Sequence, residues 1–417
     1  MFDSLKDLGG DSAPKIPKLP DGGGLAASML QAYMSSDTLS NNALYEQLIE
    51  NGLLDRAAVE AKAPVGKDGV HFSLAKRRVR WWQQHLKQHG IIERIPSERG
   101  TWRLSDRNKK DMTKAPPKTV MIGFSTELGV ALWGACNDVF GSMTESIAVA
   151  ITSPPYPLAN PRAYGNPSQE EWVDFVCRSL EPIVKRLLPG GTIAVNLSND
   201  VFEPGSPARS LYRAKFEIAM YERLGMSLLD QVIWENPSKP PGPFQWASKR
   251  RMQLNVGYEP ILVFCNDPLK CFADNRRVLQ PHTETHKKLI ERGGEQRARS
   301  NSDGSYRVYQ GSYGNETAGR IPKNVLRYGH SCADQRSMRK MAKAAGLPVH
   351  GASMPLALAI FLVKWLSRPG DLIVDPFGGT QTTAKAAELL GRLWATSEIY
   401  AEYVWNGKFR FSSQMVE

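Results

Sequence analysis

Two short stretches of this 417-residue chain combine residue types whose chemistry goes beyond what packing requires. The first is Thr152-Ser153-Pro154-Pro155-Tyr156, directly after the apolar run Ile147 to Ile151. Two consecutive prolines fix the backbone and remove two N–H donors, which leaves carbonyl oxygens free to accept. Ser153 adds a hydroxyl acceptor and Tyr156 a flat apolar face. Together they suit a planar group bearing an –NH2. A proline-rich turn after a strand would explain the same pentapeptide without a ligand. The second stretch is Asp371-Leu372-Ile373-Val374-Asp375-Pro376-Phe377-Gly378-Gly379-Thr380-Gln381-Thr382-Thr383. A strand that runs through a glycine turn into a helix lets backbone approach a ligand at the carboxyl edge of a sheet. Glu398 follows behind the short run Leu393 to Thr396, and an acid there can accept both hydroxyls of a ribose. An ordinary strand-to-helix turn with an incidental acid is the blander alternative.

The elements that must position these residues follow from apolar periodicity. From about Val120 to Glu417, short apolar runs alternate with helix-like stretches. Ser168, followed by Gln169-Glu170-Glu171, predicts a capped helix through Leu188, stopped by Pro189-Gly190-Gly191. Thr192 to Asn196, Leu228 to Trp234, Ile261 to Phe264 and Leu372 to Val374 read as strands; Phe216 to Leu224 and Thr383 to Leu390 read as helices. This alternation predicts an α/β fold, doubly wound, with a largely parallel sheet and helices on both faces. Asn266 to Arg320 breaks the rhythm with a long polar stretch. The wider span Cys265 to Ala345 holds 16 Lys or Arg against 8 acids. Loops this long are uncommon unless functional or disordered, so it reads as a recognition element rather than a surface excursion.

Ahead of this lies a different pattern. Residues 1–24 are rich in glycine and proline and read as a flexible arm. Residues 25–110 read as a small α+β module. Helices are expected from Ser40 or Asn41 to Ile49, Leu54 to Lys62 and Ser73 to Gln88, then strands at Ile91 to Ile95 and Thr101 to Leu104. Three helices followed by a basic hairpin resemble a winged helix. Lys76 to Lys110 carries 11 Lys or Arg and 3 acids, which fits an accessory DNA-binding module. A scaffolding or dimerisation domain with a solvated basic face is the alternative.

Composition narrows the classes. Hydrophobic residues are 41% and charged residues 23%, enough for a packed core, and the formal charge of +11 points to a polyanionic partner. The most apolar stretch, Pro355 to Leu366, falls short of the roughly 20 residues a membrane span needs and contains Lys364. The start, Met-Phe-Asp-Ser-Leu-Lys-Asp, has no basic-then-apolar signal pattern. Five scattered cysteines argue against a disulfide framework and fit a reducing cytoplasm.

In this order, the two motifs resemble the amino-methylating DNA methyltransferases that use S-adenosylmethionine, in the arrangement called β. There the catalytic tetrapeptide precedes the target recognition region, and the cofactor motif comes last. The resemblance runs from about Ile147 to Val404. Val232-Ile233-Trp234-Glu235-Asn236-Pro237 with Tyr258 to Phe264 is similar to the wall of the family's target-base pocket. Ile321 to Val325 resembles the stretch closing the recognition region, and His350-Gly351-Ala352-Ser353-Met354-Pro355 resembles a motif that contacts the cofactor's methionine end. Gln381 stands where a further glycine is usual, and Gly351 and Met354 replace the usual Pro and Phe. The resemblance implies that Ser153, Pro154, Pro155 and Tyr156 hold the target base. It implies that Asp375, Phe377, Gly378, Gly379, Thr380 and Glu398 hold S-adenosylmethionine, assisted by Ser353 and Pro355. It further implies double-stranded DNA as partner, a flipped base, and a restriction endonuclease as a potential cognate. Ser before Pro-Pro-Tyr goes in that family mainly with cytosine N4, and adenine N6 is the alternative.

Other chemistries fit less well. Methylation at cytosine carbon 5 needs a Pro-Cys motif, which is missing. His282-Thr283-Glu284-Thr285-His286 places its acid wrongly for a zinc protease helix. A non-catalytic DNA-binding regulator would leave the cofactor motif without a purpose.

Overall fold

The computed structural model describes residues 22–36, 38–65, 70–88, 91–105, 112–158, 167–301, 304, 306–330, 332–351 and 353–411. Near the N-terminus come β1 (Leu39–Ser40), β2 (Ala63–Val65), β3 (Val70–Phe72), β4 (Ile92–Arg94) and β5 (Thr101–Leu104). The large sheet is built from β6 (Met121–Ser125), β7 (Gly129–Trp133), β8 (Ile147–Thr152), β9 (Leu187–Asn196), β10 (Ser227–Glu235) and β11 (Tyr258–Cys265), and later from β14 (Val325–Arg327), β15 (Leu372–Asp375) and β16 (Leu393–Glu398). The recognition stretch carries a separate hairpin, β12 (Arg299–Asn301) with β13 (Tyr306–Val308).

The nine strands lie in the order β14-β10-β11-β9-β8-β15-β16-β7-β6. Pairing is parallel through β9, β8, β15, β16 and β7, and antiparallel at β6–β7, β9–β11 and β11–β10; β14 pairs parallel with β10. The sheet is therefore mixed, with a parallel centre. Every residue of β8 is buried, as a central strand covered on both faces requires. One cover buries Trp172, Val176 and Leu180 of the Gln169–Val184 helix with Phe216 and Met220 of the Tyr212–Leu224 helix. The other buries Leu358, Leu362 and Val363 of the Leu356–Leu366 helix with Ala384 and Ala387 of the Thr382–Leu389 helix. The expected doubly wound α/β architecture is what forms.

Two elements differ from the expectation. The helix capped by Ser168 ends at Val184, and Leu187 to Asn196 is one strand, so Pro189-Gly190-Gly191 lies within β9 rather than stopping a helix. Between β8 and β9 the register slips, from Ile147 opposite Leu187 to Val149 opposite Thr192. Gly190 has φ +90°, and a Cβ there would lie 1.9 Å from the Lys270 carbonyl oxygen. The glycine is thus needed where the basic insertion crosses the strand. That insertion is also less irregular than its composition implies: it holds a Glu284–Glu291 helix, capped by Thr283, and the β12–β13 hairpin.

At the N-terminus, Asn41–Glu50, Arg56–Glu60 and Leu74–Gln88 are helices, and β1, β5 and β4 form a three-stranded sheet. Ser40 accepts from the Ala43 N–H and Asp55 from the Ala57 N–H, as N-caps do. A further helix, Gly22–Met34, begins inside the stretch read as an arm; residues 1–21 lie outside the described ones. Its Leu25, Met29 and Leu30 are fully buried, and the helix packs on β6 at the sheet edge. The N-terminal module and the sheet therefore share one continuous core.

This packing predicts that Leu30→Ala costs about 2–5 kcal/mol, the range for deleting a buried leucine side chain. Urea unfolding checks it. A chain shortened by residues 1–110 should likewise melt at lower temperature, because β6 and Trp405 lose their cover. Equal stability of whole and shortened chains would contradict the shared core.

Candidate active site

The site is built around one buried carboxylate. Asp375 ends β15, next to β8, and three groups donate to it: Thr152 Oγ1 at 2.6 Å, Thr383 Oγ1 at 2.8 Å and the Phe377 N–H at 3.0 Å. Thr152 belongs to the first motif, and Thr383, in the helix that the glycine turn opens, to the second. Asp375 therefore ties the two motifs together. Burial raises its pKa from 3.8 to about 6, against the pull of these three donors, so it is largely ionised at neutral pH. A cleft of about 860 Å³ opens at the carboxyl ends of β8, β15 and β16. Parallel sheets place ligands at this edge.

On one side of the cleft lie Phe377, Gly378, Gly379, Thr380 and Glu398. Glu398 ends β16; its oxygens accept from the Gly379 N–H at 2.8 Å and the Tyr400 N–H at 3.0 Å. Burial raises its pKa from 4.5 to about 7; the two N–H donors oppose this, and nearby Asp375 adds to it. Thr380 and Ser353 share a hydroxyl–hydroxyl bond of 2.9 Å, which joins the glycine turn to the segment before the Leu356–Leu366 helix. Buried Gln335, in the Ala333–Ala344 helix, holds that segment by donating to the Ser353 and Met354 carbonyls at 3.0 and 2.9 Å. Pro355 caps the Leu356–Leu366 helix and is not among the residues lining the cleft.

Gln381 explains how the turn keeps its path without the usual glycine. Its φ is +63°, which is strained for a side-chain-bearing residue, and it is fully buried. Its amide nitrogen donates to the Gly379 carbonyl at 3.2 Å, and its amide oxygen accepts from the Thr396 hydroxyl. Space for this comes from Gly407 in the Ala401–Lys408 helix, where a Cβ would lie 2.2 Å from Gln381 Cγ. The two positions fit only as a pair.

On the other side lie Ser153, Pro154, Pro155 and Tyr156. Trp172 Nε1 donates to the Pro155 carbonyl at 2.6 Å, whereas the Pro154 carbonyl has no partner among the described residues. Ser153 Oγ lies 2.8 Å from Tyr156 Oη, and Asn196 Nδ2 donates to the same Oη at 2.9 Å. Asn196 also donates to Glu259 at 3.1 Å, and Glu259 pairs with Lys239 at 3.1 Å. Tyr156 is thus fixed from behind by a chain of side chains reaching β9 and β11.

Eleven of the twelve residues expected at a site line this one cleft, and Pro355 stands beside it. Residues outside the expected twelve also reach it. Phe175, from the Gln169–Val184 helix, stands 5.7 Å from the Phe377 ring at a tilt of 47°. Tyr400 and Tyr403 form part of the wall beyond Glu398, and His350 lies edge-on to Tyr403. Tyr400, two places after Glu398, is the one whose position could have suggested it. The His282 to His286 stretch builds no metal site among the described residues.

A family model described as DNA methylase, of the N6/N4 type, matches residues 147–408. The type II methyltransferase M.PvuII of Proteus hauseri is 32% identical over 267 residues, covering 64% of this chain and 78% of its own. M.BglII of Bacillus subtilis is 25% identical over 260 residues, 62% of each chain. The solved structure of the PvuII DNA methyltransferase (cytosine-N4-specific) superposes with a TM-score of 0.55 at 27% identity, covering 71% of this chain and 90% of that one.

The Gln381–Gly407 fit makes a prediction. Gly407→Ala should destabilise the protein by about 1–3 kcal/mol through overpacking, and Gln381→Gly in the same chain should restore most of the loss. A double-mutant cycle by urea unfolding measures this; additive effects would show that the two positions are independent.

Proposed function

The chain belongs to the N6/N4 DNA methylase family, and from that premise we propose that it moves a methyl group from S-adenosylmethionine to the exocyclic N4 amine of a flipped cytosine in duplex DNA. The observation that carries the reading is the tie at Asp375, which sets the Ser153–Tyr156 loop against the glycine turn across one cleft.

Glu398 would accept the ribose hydroxyls, with Gly378 and Gly379 letting the ligand approach the backbone and Phe377 offering an apolar face. Ser353 and Thr380 would hold the methionine end. S-adenosylmethionine supplies a methyl group activated on a sulfonium. The target amine is a poor nucleophile, because its lone pair is delocalised into the ring. Hydrogen bonds from the –NH2 to Ser153 Oγ and the Pro154 carbonyl would favour a tetrahedral nitrogen and fix its direction. If Ser153 donates its own proton to Tyr156 Oη, its lone pairs remain for the amine. The same acceptors stabilise positive charge developing on that nitrogen. A base inside a duplex cannot reach this cleft, so it must leave the stack, and Tyr156 provides a face for it. The basic insertion at 266–320 supports duplex DNA as the partner. The reading places the enzyme in the cytoplasm with the DNA, and a restriction endonuclease of the same site specificity would fit it.

Ser153, and the cytosine-N4 specificity of the PvuII enzyme, favour cytosine over adenine. Nucleoside mass spectrometry of unmethylated DNA treated with the protein and S-adenosylmethionine should find N4-methylcytosine. Methyladenine without methylated cytosine would overturn the choice of base.

Glu398 also sets a pH dependence. Its folded pKa is raised to about 7, and its ionised form accepts ribose hydroxyls more strongly than the neutral acid does. Affinity for S-adenosylmethionine should therefore rise as pH increases through about 7 and then level off. Glu398→Gln should flatten this profile, and Glu398→Ala should cost on the order of 1.5–3 kcal/mol of binding, as for hydrogen bonds to a charged group. Calorimetry between pH 6 and 8 that finds the same profile in both proteins would remove Glu398 from the ribose site.

A further inference from the structure

The Leu74–Gln88 helix, Leu-Ala-Lys-Arg-Arg-Val-Arg-Trp-Trp-Gln-Gln-His-Leu-Lys-Gln, has two unlike faces. Ala75, Val79, Gln83 and Leu86 are buried in the N-terminal module. The opposite stripe, Leu74, Arg77, Trp81, Gln84 and Gln88, is exposed at helical spacing, with Trp81 53% accessible. Such exposure is unusual for the largest apolar side chain. Trp81 is held in place: it stacks on His85 at 4.2 Å with an angle of 29° and meets Trp82 edge-on. The helix carries Lys76, Arg77, Arg78, Arg80 and Lys87 and no acid, and none of these cations forms an ion pair among the described residues. Lys76 and Arg80 instead lean on Tyr45, and Arg77 on the exposed Phe72 ring. Arg77 and Arg78, one helical turn before a fixed exposed indole on a helix that carries no acid, are complementary to a polyanion that also offers apolar surface. The deoxyribose and thymine methyl groups of a DNA groove offer such surface.

The position of this helix in the fold adds a direction. Its module packs on β6, at one edge of the nine-stranded sheet, and the basic insertion feeds β14 at the other edge. The Asp375 tie lies between them at β8 and β15. With strands about 4.8 Å apart, the two edges are separated by roughly 40 Å, a little more than the ~34 Å turn of B-DNA. We propose that the Arg77–Trp81 face of this helix docks in duplex DNA flanking the target, on the side away from the 266–320 insertion. This rests on the reading of duplex DNA as substrate. It assigns the N-terminal module a share of the footprint rather than the chemistry.

The test uses the full chain and two random-sequence duplexes, one of about 40 base pairs and one of about 12, the shorter being little more than a turn. Binding is followed by fluorescence anisotropy over a range of salt concentrations. Arg77→Ala/Trp81→Ala should weaken binding to the long duplex by about tenfold and make its salt dependence shallower by about one in the log–log slope. It should leave the short duplex and S-adenosylmethionine affinity unchanged. Both positions are exposed, and Arg77→Glu, which keeps the indole, gives a second variant in which only charge is reversed; its loss on the long duplex should be larger. If wild type binds both duplexes and neither variant alters affinity or slope, this docking surface is wrong. A change in oligomeric state with DNA binding intact would assign the face to a second copy instead and also overturn the proposal. Wild type that binds neither duplex would overturn the DNA reading itself.

Discussion

The arrangement depends on one buried carboxylate shared by two loops. Asp375 takes a proton-donating threonine from each motif and a backbone N–H from its own turn. Burying a carboxylate is costly, and three donors offset much of that cost, leaving the group poised between its ordinary range and neutrality. Because the partners come from β8 and from the helix after β15, the carboxylate fixes the distance between the two walls of the cleft. The parallel pairing of β8, β15 and β16 brings Ser153, Asp375 and Glu398 to the same edge; the hydrogen bonds then lock them there.

Around this tie, each wall has its own support. The Ser153–Tyr156 wall leans on Asn196, Glu259 and Lys239, so a ring that would face a base is fixed by charged and amide groups behind it. The glycine-turn wall leans on Gln381, Gln335 and the Ser353–Thr380 pair. Buried Arg410, paired with Asp334, lies within 3.5 Å of Thr380 and closes this side. A direct methyl transfer needs little from the protein beyond alignment and charge stabilisation, and a rigid double wall suits that requirement.

The motif loops were legible in the sequence because each is contiguous and its chemistry is local: two prolines, a glycine turn and an acid at a strand end. The central strands were legible for a similar reason, since burial on both faces leaves continuous apolar runs. What stayed hidden depends on distant partners. Asn196 and Glu259 look like ordinary strand residues until β9 pairs with β11. Gly22–Met34 opens with three glycines, poor helix formers, and is held by the burial of Leu25, Met29 and Leu30 against β6. Pro189-Gly190-Gly191 reads as a helix stop locally, and only the Lys270 backbone passing over it explains its place inside a strand.

The central claim is that Asp375 aligns the two walls, and Thr152→Val tests it most directly. Valine keeps the shape of the buried threonine and removes only the hydroxyl that bonds to Asp375. The measurement is the single-turnover rate of methyl transfer to DNA with S-adenosylmethionine saturating. A rate at least about tenfold slower is expected, since a misplacement of the reacting groups of up to about 1 Å costs on that order or more, with cofactor affinity little altered. A Thr152→Val protein that transfers methyl at the wild-type rate would contradict it.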